Sequence, residues 1–471
     1  MKMSCALAAS IAGLAVSSAS AGVVPASILI AEGDTVAGRV VTALTSPFTN
    51  GLGDVGYIAT LDSGDRAIMR NTTPLFVSSD ALPDSLTGGE ASMGIGDNGE
   101  FIYSPSFNGD DSVWGEGGLI AVENTPSPTG PAGFNTTFHS RPRMIDDGSS
   151  YWVSGLNDGA GGTSSLTRIV FFRDGATGTI TAPLQAGDAV DGAIVAGGSG
   201  IDFDLSWSDN GAHNVWGFND ALTGSTANDT CLAVNGVIVA KEANPTGQGD
   251  NWDNFDNNDI ANNGDYLFSG DTDGSTSTDE FIAYNGVIVL REGDALLGGI
   301  VDGSVDEVSI SNTGTAAFVW EYDDGSGLAE TLFYASDASN IPGTAMIVCS
   351  VGDMLDTDND GIGDLTITDF NAGLGSGIDL ADDGLVHVEL DVDDNDMVNF
   401  EVIATFDMNT GGPCNAADNA EPFGVLDLSD VNGFIDAFVN QLPAADIAAP
   451  SGVWDLSDVN AFIAAFNAGC P

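Results

Sequence analysis

The chain has 471 residues, with 69 Asp or Glu against 10 Lys or Arg and a formal net charge of −59. That balance repels a phosphate backbone and an anionic membrane surface, so nucleic acid and lipid headgroups are poor candidates as partners. Its 43% hydrophobic content and 23 Phe argue for a packed chain with an acidic surface rather than for disorder.

The first element is an address for export. Lys2 gives a positive start, CALAASIAGLAV a short apolar run, and Ala19-Ser20-Ala21 a small-residue cleavage site. The run falls short of the roughly 20 apolar residues of a bilayer span, and no later stretch reaches that length. The expected organisation is a signal peptide over 1–21, a repeat domain over 22–408 and a small tail domain over 409–471, in a secreted or cell-surface protein without a transmembrane segment.

The body repeats itself. A turn followed by a strand recurs as LGDVGYIATL (52–61), IGDNGEFIYS (95–104), IDDGSSYWVS (145–154), WSDNGAHNVWG (207–217), IANNGDYLFSG (260–270), ISNTGTAAFVW (310–320) and LADDGLVHVEL (380–390). The turn glycines are assigned to Gly56, Gly99, Gly148, Gly211, Gly264, Gly314 and Gly384, because Asx-Gly between apolar runs is a strong hairpin signal. A second mark, an apolar strand ending in an acidic-Gly turn, recurs at 28–38, 183–192, 287–299 and 346–355. Seven units of about 55 residues, each with about four short strands, predict a mainly β fold with a seven-bladed β-propeller-like body. A sandwich series or solenoid is the runner-up. The mature chain starts with the end of a unit (27–34), and the last unit stops after FEVIATF (400–406). The N-terminal strand is therefore predicted to close the last blade, placing Ile28 and Ile30 with Val388 and Ile403. In SNTGTAAF (311–318) and NNGDYLF (262–268) the body resembles bacterial tandem-repeat proteins named for an N-x-x-G-x-x-A-F motif. The resemblance implies an exported propeller-like repeat protein and no particular chemistry.

The tail states one passage twice, ADNAEPFGVLDLSDVNGFIDAF and ADIAAPSGVWDLSDVNAFIAAF. In each copy an acidic loop leads into apolar residues spaced i, i+3, i+4 and i+7, namely Val431, Phe434, Ile435 and Phe438, then Val459, Phe462, Ile463 and Phe466. Each copy predicts one amphipathic helix, and two helices can bury their stripes against each other. Cys414 and Cys470 bracket the tail and are expected to form a disulfide in an exported protein; a Cys231–Cys349 bridge is also open. With its closing NAGCP, the tail resembles a dockerin of the Gly-Cys-ended, planctomycete-like type. That resemblance implies a small α-helical domain with two EF-hand-like Ca²⁺ loops, docking onto a cohesin-like protein of a scaffold or cell surface. On this sequence it makes Asp418, Asp427 and Asp430, with Asp446, Asp455 and Asp458, the Ca²⁺ ligands. It makes Leu428, Ser429, Leu456 and Ser457 the partner contacts. The loops depart from an EF-hand in having Ala420 and Ala448, then Pro422 and Pro450, where oxygen side chains are required. A metal-free helical hairpin with these aspartates as N-caps is the alternative.

A further acidic loop, DTDNDGIGD (356–364), interrupts the seventh unit. Asp356, Asp358 and Asp360 alternate before Gly361, and Asp364 follows, a pattern suited to a single Ca²⁺. No catalytic residue is assigned: His139, His213 and His387 lie in no recognisable catalytic motif, and no G-x-S-x-G elbow occurs. The loop NWDNFDNND (251–259) is the best candidate for contact with a glycan. Three functions remain open: a non-catalytic binding or structural module docked through its tail, a dockerin-borne polysaccharide hydrolase, and a Ca²⁺-stabilised matrix protein capped by its tail.

Overall fold

The structure is a computed structural model that describes residues 22–408, apart from 46, 79–91, 108, 158–166, 359–361, 372–376 and 395. In the tail it describes residues 417, 428–439, 445, 447–448, 454 and 456–468. The fold is mainly β. Among the described residues, seven mostly antiparallel sheets of four or more strands follow one another along the chain, spanning 35–77, 93–122, 135–185, 201–241, 258–291, 295–350 and 354–407, the last joined by strands from 23–31.

Packing between sheets, rather than within them, forms the core. Ile58 and Ile68 of the first sheet share a core with Met93, Ile95 and Trp114 of the second. Ile102 and Val113 of the second pack with Trp152 and Phe171 of the third. The same sharing runs from third to fourth through Tyr151 and Trp207, and from fourth to fifth through Leu232 and Phe268. It continues from fifth to sixth through Leu267 and Phe318, then from sixth to seventh through Leu332 and Leu390. Ile403 of the seventh sheet and Ile30 of the N-terminal strand then pack with Val41 and Tyr57 of the first. The succession of cores returns to its start, so the arrangement is propeller-like.

The two ends of the body meet in the seventh sheet. Strand Ser27–Ala31 pairs antiparallel with Asn399–Asp407, with Ile28 opposite Ala404 and Ile30 opposite Ile403. Ile28 packs on the core that contains Val388, as the phase of the repeat predicts. Strand Val23–Pro25 pairs parallel with Met354–Asp356 at the other end of the same strand order. Only Ala26, itself buried, separates the two N-terminal strands.

The first sequence mark is a four-residue turn closing a hairpin in each sheet, as between Phe48–Thr49 and Val55–Leu61 in the first and Gly299–Ile310 and Ala316–Asp323 in the sixth. Its glycine has φ between 69° and 87° at Gly99, Gly148, Gly211, Gly264, Gly314 and Gly384, a conformation other residues adopt only with strain. In the first sheet the glycine with this role is Gly53 (φ 76°), not Gly56. Gly56 lies in strand Val55–Leu61, where a Cβ would press on Ile95 and Met93 of the next sheet. The second mark also has a physical role. Asp34, Asp188, Asp294 and Asp353 each accept the backbone N–H three residues earlier, fixing the turn that follows an outer strand.

Cys231 and Cys349 are free, buried thiols in different cores, so the bridge left open between them does not form. Cys414 and Cys470 lie outside the described residues. In the tail, helices Leu428–Val439 and Leu456–Ala468 meet through stacked Phe434 and Phe462 rings, 4.2 Å between centroids.

The closing strand sets a stability test. Ile30 is 6% exposed, and Ile30→Ala is expected to cost about 2–4 kcal/mol in urea denaturation. Val23→Ala, at a residue 46% exposed, should change stability by less than about 0.5 kcal/mol.

Candidate functional site

The strands that enter the glycine turns, including Phe48–Thr49, Ile201–Trp207, Asn258–Ile260, Gly299–Ile310 and Ile378–Leu380, line a common cavity and lie at an edge of their sheets where they approach it. Such an edge exposes N–H groups that require partners. Side chains of the preceding sheet supply them at one repeat position, two residues before the residue at the turn's tip. Thr49 N–H donates to Asp379 Oδ2 (2.6 Å), Trp207 N–H to Tyr151 Oη (3.3 Å), Ile310 N–H to Asp259 Oδ2 (2.9 Å) and Leu380 N–H to Ser309 Oγ (3.2 Å).

A second layer lies just beyond, at the tips of the glycine turns. Gly51 N–H donates to Asp146 Oδ1 (2.9 Å), Asn210 N–H to Asn262 Oδ1 (2.8 Å), Asn262 N–H to Asn312 Oδ1, and Asn312 N–H to Asp382 Oδ1 (2.7 Å). The Asn312 amide also reaches across the centre, donating to Asp209 Oδ2 (2.8 Å) and Asp382 Oδ2 (2.7 Å). The Asx residues that read in sequence as turn formers thus also hydrogen-bond neighbouring sheets.

Between these layers lies a cavity of about 140 Å³ lined from six of the seven sheets, including Phe48, Arg143, Tyr151, Asp209, Asp259, Glu307 and Asp379. Burial raises the Asp209 carboxyl to about 8, with repulsion from Asp146, Asp259 and Asp379 adding to it and the Asn312 amide opposing it. Burial likewise lifts Asp379 to about 7, against the Thr49 N–H and Arg143. It also raises Asp259, and takes Asp146 to about 6. Arg143 lies 3.8 Å above the Phe48 ring, and burial lowers its guanidinium to about 10. A register shift between Ser140 and Arg143, with Arg141 at φ 48°, re-aims this strand toward the cavity. Arg143 does not stand out in the sequence; Pro142 inside strand Asn135–Met144 is the available sign of a bulge.

The histidines serve elsewhere. His139 and His387 are buried, and burial lowers both to about 4. His139 Nδ1 accepts from Trp152 Nε1 (3.2 Å), and His387 Nδ1 pairs with Thr405 Oγ1 (2.9 Å). The loop 251–259 is not an aromatic platform for sugar: Trp252 and Phe255 are buried against Phe268 and Phe281.

Asp356, Asp358 and Asp364 are brought together, each offering a carboxylate oxygen within 4.8 Å of the others, while Asp360 lies outside the described residues. The loop replaces the two-residue turn of the corresponding ribbons Thr35–Val40, Ala189–Ile194 and Ala295–Ile300. A second trio, Asp256, Asp271 and Glu280, was not singled out from the sequence. Of the tail ligands, Asp418, Asp427, Asp446 and Asp455 lie outside the described residues. Leu428, Ser429 and Asp430 are placed as helix backbone only. Leu456 and Ser457 are exposed in the second helix's first turn. Asp458 is fully buried, and its Oδ1 accepts the N–H groups of Ile447 and Ala448 (3.1 and 2.9 Å).

No protein-family model and no curated protein matches the chain. Solved structures similar to it include BBS1N in complex with ARL6DN, at TM-score 0.35 and 10% identity, over 81% of this chain and 97% of that one. A GH93 α-L-arabinofuranosidase of Fusarium graminearum with arabinobiose gives 0.35 and 9%, over 82% and 98%. A subtype N11 neuraminidase-like protein gives 0.30 and 10%, over 82% and 95%. None of their activities is carried over to this chain.

The raised carboxyls fix a direction of pH dependence. An acid with a raised folded pKa contributes stability that is whole below its unfolded value, near pH 4, and is lost as pH rises through the folded value. The melting temperature should therefore fall between pH 5.5 and 8.5, where Asp146, Asp379 and Asp209 ionise. Asp209→Asn keeps an acceptor for Asn312 and should make that fall smaller; an equal fall in the variant would refute the assignment.

Proposed function

We propose that the chain is an exported, non-catalytic binding or structural protein. Its seven sheets are the blades of a seven-bladed propeller, and its tail is a dockerin-like domain that attaches it to a cohesin-like protein of a scaffold or cell surface. The observation that carries the non-catalytic reading is the occupation of the central acids. Asp259 and Asp379 cap neighbouring backbone, and Asp209 is tied to Asn312. The cavity they enclose, about 140 Å³, is below the roughly 300 Å³ at which small-molecule pockets begin. It suits a few waters better than a sugar ring. The Asp356, Asp358 and Asp364 trio supports a role for Ca²⁺, which would bridge the long loop of the seventh blade with hard oxygen ligands. A glycan ligand would have to bind on the outer surface of the body.

A polysaccharide hydrolase is the second reading, and Asp209 favours it. An acid raised to about 8 beside other carboxylates is what a general acid requires at neutral pH.

The test uses residues 22–471, folded under oxidising conditions and immobilised. In surface extracts of the source organism a defined partner should bind with Ca²⁺ and be lost with a chelator, and polysaccharides should release no reducing sugar. Sugar release abolished by Asp209→Asn would establish the hydrolase instead. Absence of any partner under both conditions would remove docking as the role of the tail.

A further inference from the structure

The residue that follows the expected cleavage site is held by a carboxylate more than three hundred residues away. Gly22 N–H donates to Asp353 Oδ1 at 2.7 Å, and Met354 N–H returns a bond to Gly22 O at 2.9 Å. Asp353 is the fourth copy of the turn aspartate, and its other oxygen, Oδ2, makes the repeat's usual bond to Ser350 N–H (2.9 Å). The approach is close, since a Cβ on residue 22 would come within 2.9 Å of Asp353 Oδ1 and require that carboxylate to shift. From this point the chain runs as Val23–Pro25 beside Met354–Asp356, passes Ala26, whose N–H donates to Asp356 O (3.1 Å), and continues as the closing strand.

We propose that hydrolysis of the Ala21–Gly22 bond creates an α-ammonium group that seats on Asp353 and locks the N-terminal segment onto the seventh sheet. This rests on the export reading above. A secretory peptidase directs water onto the Ala21 carbonyl carbon, and the amide bond breaks. Hydroxyl stays on Ala21, hydrogen goes to the Gly22 nitrogen, and a further proton from solvent makes it –NH₃⁺. A neutral amide donor to the carboxylate is thereby replaced by an ammonium, which adds an ion pair to the hydrogen bond. Among the described residues, the ionisable groups on the flanking turn, the strand beside it and its hairpin loop are Asp353, Asp356, Asp358 and Asp364, all acidic, so they all favour the charged amine. Signal removal and ring closure then become linked events: the processed chain holds its last sheet more firmly than the precursor does.

The experiment compares a chain beginning at Gly22 with one beginning at Ala21, reading α-amine reactivity toward an acylating probe across pH 6–10 by mass spectrometry. In the Gly22 chain the amine should titrate about one unit above its value in urea and be acylated about fivefold more slowly at pH 8. In the Ala21 chain, where Asp353 is intact and the amine is one residue further along, the shift should vanish. Asp353→Asn should abolish it as well, and the Ala21 chain keeps the test decisive even where that variant folds poorly through loss of the Ser350 bond. Equal titration of the Gly22 amine in folded and urea-unfolded chains overturns the pairing. N-terminal sequencing of the exported protein tests the premise separately: a start at Gly22 supports it, and a start elsewhere overturns the cleavage reading whatever the amine does.

Discussion

An unpaired strand edge at the centre of a ring of sheets is the constraint on which the rest of this structure depends. The strands that enter the glycine turns converge on a shared cavity, where their edge N–H groups require partners. An unmade hydrogen bond at such a place costs about 1–3 kcal/mol, so repeated edges left open would consume a typical domain's net stability. The chain meets the requirement with side chains of the preceding sheet, namely Asp379, Tyr151, Asp259 and Ser309. Because these acceptors point inward, the centre becomes polar and acidic as a consequence of the fold. An acidic centre is therefore weak evidence of chemistry here. The raised carboxyls express crowding and burial first.

The same constraint explains why the ends of the body must meet. A sheet series that stops leaves two open faces and an exposed outer edge, and the chain removes all of these with about ten residues. The closing strand completes the hydrogen-bonded ladder of the seventh sheet, while Ile30 and Ile403 face the first. Burying one such side chain is worth roughly 1.5–3 kcal/mol. Its larger effect is topological, since it brings the seventh sheet against the first and gives every sheet a neighbour on both faces.

Much of this was legible in the sequence, because repetition exposes what a single unit would hide. Five of the seven turn glycines are readable from the Asx-Gly pattern and Gly314 from its place in Asn-Thr-Gly, and the phase of the repeat places the closing strand. The first unit misleads because NGLGDVG offers Gly51, Gly53 and Gly56, and only the backbone conformation selects Gly53. The centre was not legible. Asp209 and Asn312 are 103 residues apart and meet only because two turns converge, and no local pattern encodes that distance. Arg143 reaches the cavity through a bulge. The aromatics of 251–259 look exposed beside so many Asn and Asp residues, yet Trp252 and Phe255 fill the core under their own loop. In a β-rich chain a polar neighbourhood in sequence does not fix which way a single large side chain points.

Charge organises the remaining features. A chain with a formal charge of −59 has few cations with which to neutralise buried acids. It uses them sparingly, pairing Arg70 with Asp54, Lys241 with Asp220, and Arg291 with Asp250 at the edges of sheets. Elsewhere burial and neighbouring acids raise the carboxyls, Asp209 to about 8 and Glu280, beside Asp271, to about 8 as well. The loop 356–364 carries no basic residue, and Asp356, Asp358 and Asp364 bring carboxylate oxygens within 4.8 Å of one another. It sits on the strand to which the N-terminal segment pairs, so a cation there and an ammonium group on Asp353 would act on the same hairpin. Both would oppose the same repulsion, at the sheet where the ring is closed.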